Sequence, residues 1–154
     1  MDALRIALAA ALLCAAAASH SAGADPVEVV LRAYEEAWSR HDAHAIAGFY
    51  QAPAMRVSPG GPIVRQNSAI QEAFFRGLLA ALVKQGYARS EWERLQVRLL
   101  DENTAIASGV VLRLRDDGSE FQRQGVTYAL WRGAEGWKII LSATHAPSTA
   151  LRFE

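Results

Sequence analysis

The hydrophobic positions follow two periods along the chain. Val27, Val30, Leu31, Tyr34, Ala37 and Trp38 recur at helical spacing, while Glu28, Arg32, Glu35, Glu36 and Arg40 fall largely on the opposite face. Asp25 can cap this first helix and Pro26 suits its first turn, with an end expected near His41. Asp42 can cap a shorter helix carrying Ala45, Ile46, Phe49 and Tyr50, which Pro53 should end. Met55-Arg56-Val57 and Ile63-Val64 read as short strands on either side of the Ser58–Pro62 turn. Asn67 or Ser68 caps a third helix, and Gln71 fits a capping box with Ser68. Its expected apolar face holds Ile70, Phe74, Leu78, Leu82 and Val83, and Gly86 terminates it.

Beyond Gly86 the period changes to two. Leu95, Val97 and Leu99 alternate with polar residues, as do Val126, Tyr128 and Leu130. Four extended stretches are expected at about residues 88–100, 104–115, 119–132 and 136–145, joined by turns at Asp101-Glu102-Asn103, Asp116-Asp117-Gly118 and Gly133-Ala134-Glu135-Gly136. Three helices followed by an antiparallel meander predict an α+β domain, with the helices on one face of the sheet.

Composition changes the picture at one end. Between Ala3 and Ala18 the only polar residue is Arg5, and Ala22-Gly23-Ala24 is a small-x-small pattern. Residues 1–24 therefore read as a cleaved secretory signal peptide, too short for a membrane span, and residues 25–154 as one domain. The expected location is the periplasm or outside the cell, with no membrane contact after cleavage. Sixteen basic and sixteen acidic residues balance, so no basic face points to nucleic acid. The one cysteine, Cys14, lies in the signal, leaving no thiol chemistry for the mature chain.

Three stretches carry a family resemblance: Val30–Tyr50 (VLRAYEEAWSRHDAHAIAGFY), Val64–Phe75 (VRQNSAIQEAFF) and Gly136-Trp137-Lys138-Ile139. In order and spacing they resemble the SnoaL-like superfamily, which includes nuclear transport factor 2 and ketosteroid isomerase. The resemblance implies a cone-shaped fold, three N-terminal helices on a strongly curved, mainly antiparallel sheet, with a cavity between the layers. It also implies a homodimer through the open sheet face, for which Trp92, Leu112, Trp131 and Ile140 are available.

Ketosteroid isomerase uses a carboxylate base with a tyrosine and a protonated acid as oxyanion hole. Tyr34 lies eight residues before Asp42, the spacing of the tyrosine donor, but the base position is Ser58 and the second acid falls at Thr127 or Tyr128. Steroid isomerisation is therefore not expected. Tyr34, Trp38, Tyr50, Phe74 and Tyr128 are the cavity candidates, although the same aromatics would suit a packed core. Tyr34 as donor and His145 as base are the only catalytic candidates. His41 and His44 near Asp42 lack a third ligand, so no metal and no cofactor are expected. Arg56 and Arg65 could meet an anionic ligand near the cavity mouth, but on such short edge strands they read as solvated, and Arg113, Arg115, Arg123 and Arg132 read as cross-strand charge pairs with Glu120 and Asp116. The reading that follows is a binder of a small apolar or amphipathic molecule. Its alternatives are a lyase, cyclase or isomerase acting on a small carbonyl compound, and a dimeric interaction module without a ligand.

Overall fold

The computed structural model describes residues 25–154, so the signal peptide expected over residues 1–24 lies outside the described residues. The α+β architecture is the expected one. Helices α1 (Pro26–Ser39), α2 (Ala43–Gly48) and α3 (Ser68–Lys84) pack on a six-stranded sheet. Its strands are β1 (Tyr50–Ser58), β2 (Gly61–Arg65), β3 (Arg89–Leu99), β4 (Thr104–Leu114), β5 (Glu120–Gly133) and β6 (Gly136–His145). They lie in the order β2-β1-β6-β5-β4-β3, and every pairing is antiparallel except β1 with β6.

Local chemistry sets the helix starts. Asp25 accepts the Val27 N–H at 2.8 Å, and Asp42 accepts that of Ala45 at 2.9 Å. Leu31, Ile46, Leu130 and Ile139 are fully buried between the layers, each contributing roughly 1.5–3 kcal/mol by leaving water.

Three expectations are corrected. Pro53 does not end α2: the chain is already extended at Tyr50, and β1 runs through the proline. The β1–β6 register shifts between Tyr50 and Met55, so a residue without an N–H is tolerated there. Gln71 makes no capping box, because Asn67 is the cap and accepts the Ile70 N–H at 3.0 Å. This places Gln71 one position too late to reach back, and it is buried instead. The third correction concerns the face of α3. Phe75, Leu79 and Leu82 are buried with Gln71, while Ile70 and Val83 are 48% and 43% exposed. Apolar residues occupy most of this helix's circumference, so periodicity alone did not orient it.

Beyond β6 a short turn (Pro147–Thr149) leads the C-terminal residues back across the outer sheet face. Leu151 N–H donates to Ser108 Oγ at 2.9 Å and Phe153 N–H to Gln96 Oε1 at 3.1 Å.

Candidate functional site

A cavity opens between the helices and the inner sheet face, with about 50 Å³ of free space. That exceeds the roughly 10–15 Å³ one water needs, and it suits a few waters or a compact ligand. Residues Tyr34 and Trp38, one helical turn apart on α1, reach it together. Tyr50 enters from β1, Phe75 from α3, Trp92 from β3 and Tyr128 from β5.

Tyr34 is the hub of this aromatic wall. Its ring meets Trp38, Tyr50 and Tyr128 edge-on, with centroids 6.3, 5.9 and 5.9 Å away. The Tyr34 and Tyr50 hydroxyls share a hydrogen bond of 2.9 Å. Burial pushes all three phenols above their ordinary range, so they remain neutral hydroxyls at physiological pH. The structure thus brings Tyr34, Trp38, Tyr50 and Tyr128 to one cavity. Phe74 is not among its lining residues; it lies beneath the Arg65 guanidinium at 3.9 Å, and its neighbour Phe75 takes the cavity position. Arg65, read as solvated, is buried by this stacking.

His145 does not join Tyr34. It points to the outer sheet face, where Nε2 meets Thr127 Oγ1 at 2.9 Å and Nδ1 meets the Ala146 carbonyl at 2.9 Å. Ser58 also lies away from the cavity lining, its hydroxyl donating to Gly61 O in the β1–β2 hairpin at 3.5 Å. His41 and His44 have separate partners, the Ala88 carbonyl and Glu72, each at 2.8 Å. Trp92, expected on a dimer face, is a cavity wall, with Nε1 donating to Leu31 O at 3.4 Å.

Two polar residues of the cavity were misplaced by the sequence reading. Arg113 follows Ala105, Ala107, Gly109 and Val111 on the inner face of β4 and is 8% exposed. Its guanidinium lies 4.9 Å from the Trp38 ring centre, and Nη1 donates to Gln122 Oε1 at 3.0 Å. Counting in twos from Val111 would have placed it inside. Arg123, by contrast, is exposed and pairs with Glu120 on its own strand β5 and with Glu93 on β3, rather than across to Asp116. Glu35, assigned to the solvent face of α1, borders the cavity with Oε1 buried and unpartnered. Burial raises its carboxyl to about 7, opposed by the Trp92 backbone N–H and by Arg32. Among the described residues, no three His, Cys, Asp or Glu side chains gather as a metal site.

Several solved structures share this architecture. An NTF2-like protein with a cystatin-like fold from Novosphingobium aromaticivorans is 16% identical, with a TM-score of 0.68 over 83% of this chain and 88% of its own. Aln2 from a Streptomyces species is 19% identical, with a TM-score of 0.64 over 80% of this chain and 89% of its own. A ketosteroid isomerase-like protein from Erwinia carotovora atroseptica is 17% identical, with a TM-score of 0.55 over 77% of this chain and 91% of its own. At these identities the likeness establishes the fold alone. No curated protein sequence matches the chain. A family model described as NTF2-like protein (DUF6841) matches residues 24–147, and the chain therefore belongs to that NTF2-like family.

Proposed function

We propose that this protein is an exported small-molecule-binding domain that holds a small amphipathic molecule in the cavity between its helices and sheet. The supporting observation is the composition of the cavity wall. Six aromatic rings supply an apolar surface, and Arg113, Glu35 and the Tyr34–Tyr50 hydroxyl pair supply a few converging polar groups. Native mass spectrometry of residues 25–154, purified from the host compartment, tests the reading. A bound small molecule is expected, and it should be lost when Tyr34 and Trp38 are replaced by alanine in a protein that circular dichroism shows to be folded. A ligand-free dimer that binds nothing in a metabolite screen would overturn the proposal in favour of an interaction module.

Glu35 favours a second reading, a lyase or isomerase acting on a small carbonyl compound. A carboxyl raised to about 7 at a cavity wall is suited to proton transfer near neutral pH. In that case Glu35, not His145, is the base, and a Tyr34 or Tyr128 hydroxyl is the donor to the substrate oxygen. Turnover that Glu35→Gln abolishes without loss of binding would select the enzyme.

A further inference from the structure

We infer that the cavity is a carboxylate site, in which Arg113, assisted by Arg56, holds the head of a small organic acid whose apolar body lies against Tyr34, Trp38 and Tyr128. This rests on the binding reading and names its ligand class.

Arg113 carries the argument. Its side chain is more than nine-tenths buried, and its guanidinium is stacked against Trp38 and, at 5.7 Å, Tyr87. Among the described residues it forms no salt bridge, and its one hydrogen bond is to the neutral amide oxygen of Gln122. Nε is buried without an acceptor, and Nη2 has none among the described residues. A buried cation left in this state is strongly unfavourable, and an anion entering the cavity would complete it. Surface arginines such as Arg32, Arg76 and Arg123 all have carboxylate partners, so the chain does not lack acids; none has been placed at Arg113.

The surroundings select the anion. Arg56 also lines the cavity and forms no salt bridge among the described residues, so the lining carries two guanidinium groups and one carboxyl, that of Glu35. The free Nε and Nη2 of Arg113 form one edge of a planar fork, which matches the two oxygens of a carboxylate. Phosphate sites draw on clustered backbone N–H groups at glycine-rich turns or helix starts, and the cavity wall here is made of side chains on the middle of α1 and the strands. The aromatic lining, rather than the free volume of about 50 Å³, favours an anion with a short apolar body over a bare inorganic ion. Arg65 is buried too, with Nε and Nη1 without acceptors, but it is stacked on Phe74 outside the lining of this cavity, where it adds positive field beside Tyr50.

The test is titration of the mature protein at pH 7 and low salt with butyrate and benzoate, with butyramide and benzamide as uncharged matches, and with inorganic phosphate. Binding is followed by the indole signals of Trp38 and Trp92. The acids should bind saturably and at least tenfold more tightly than the amides, with phosphate weaker than either acid. Arg113→Gln should remove that tenfold preference while leaving amide binding in place. Arg113→Lys, which keeps the charge but loses the fork, should retain part of it. Arg56→Gln, at a half-buried site, should weaken acid binding even if the Arg113 variants fail to fold. Equal binding of acids and amides would leave the cavity a binding site and overturn the carboxylate assignment. Phosphate binding as tight as the acids would also overturn it. Binding of none of the probes would overturn it, and the small-molecule reading itself would then fall only if native mass spectrometry also found no ligand.

Discussion

Two polar clusters, one on each face of the sheet, differ in how completely the protein satisfies them. On the outer face Ser108 is wholly buried, and its Oγ accepts the Leu151 N–H and meets Thr127 Oγ1, both at 2.9 Å. Thr127 in turn meets His145 Nε2. His145 Nδ1 lies 2.9 Å from the Ala146 carbonyl, and the Ser108 hydroxyl donates to the Val126 carbonyl at 3.2 Å. Every member of this chain has a partner within the protein. On the inner face Arg113 Nε and Glu35 Oε1 are buried with none. A serine, a threonine and a histidine in a row resemble a catalytic relay by residue type, yet their satisfaction marks them as a clasp for the C-terminal residues. Around the cavity the groups that point to a ligand are those the fold leaves incomplete; Arg65, Gln71 and Arg94 also carry buried atoms without partners, but away from its lining.

The largest expected effect comes from altering the shape of the inner face. Gly109 faces the β3 irregularity between Trp92 and Arg94, and a Cβ there would lie 2.1 Å from the Arg94 carbonyl oxygen and 3.0 Å from the Trp92 ring. Because backbone cannot step aside as a flexible side chain does, Gly109→Ala should cost about 3 kcal/mol, on the order of 10 °C in Tm by thermal denaturation. Trp92 emission should shift with it. An unchanged Tm would show that the cavity wall is more compliant than the sheet geometry implies.

Breaking the outer chain should cost less and leave the cavity intact. Thr127→Val removes the middle link and leaves His145 Nε2 without its partner, while Ser108 keeps the Leu151 N–H and the Val126 carbonyl, so about 1 kcal/mol should be lost in chemical denaturation. Butyrate and benzoate titrations should be unaffected. A folded Thr127→Val protein that no longer binds the cavity probes would dissolve the distinction between the faces.

The contrast between faces explains what the sequence made legible. Element order and the limits of the last four strands follow from period and spacing, and Tyr34 and Trp38 sit at unambiguous phases of α1; Tyr50, expected on the second helix, lies on β1, and its meeting with Tyr34 and Tyr128 at one cavity follows only from the packing of the layers. Phe74 was misjudged because α3 is apolar over most of its surface, so its neighbour Phe75 could equally have faced inward. Arg113 and Glu35 were missed for a different reason. Charged residues are normally assigned to solvent, and only counting by twos along β4 outweighs that expectation for Arg113. Glu35 lies at the margin of the α1 stripe, and its burial depends on Trp92, fifty-seven positions away in the chain and brought close only by the α1–β3 packing.

The smallest effect sharpens the inner face. The Glu35 carboxyl is raised from 4.5 to about 7 by burial, against the Trp92 backbone and Arg32, with Glu36 on α1 and Glu91 on β3 adding to the rise. The folded state therefore keeps a proton between about pH 4.5 and 7 that the unfolded chain has released. Stability contributed by this group is full below that window, declines as pH rises through it, and is lost above it. Glu35→Gln has no such proton to hold. The variant should match the parent near pH 5 and exceed it by about 1 kcal/mol at pH 8, a figure reduced for partial solvent screening of a half-exposed carboxyl. Denaturant titrations of both proteins at pH 5, 6.5 and 8 measure the difference in slope. Parallel pH profiles would mean that a water or a neighbouring donor already satisfies Oε1, and Glu35 would then belong with the partnered groups of the outer face.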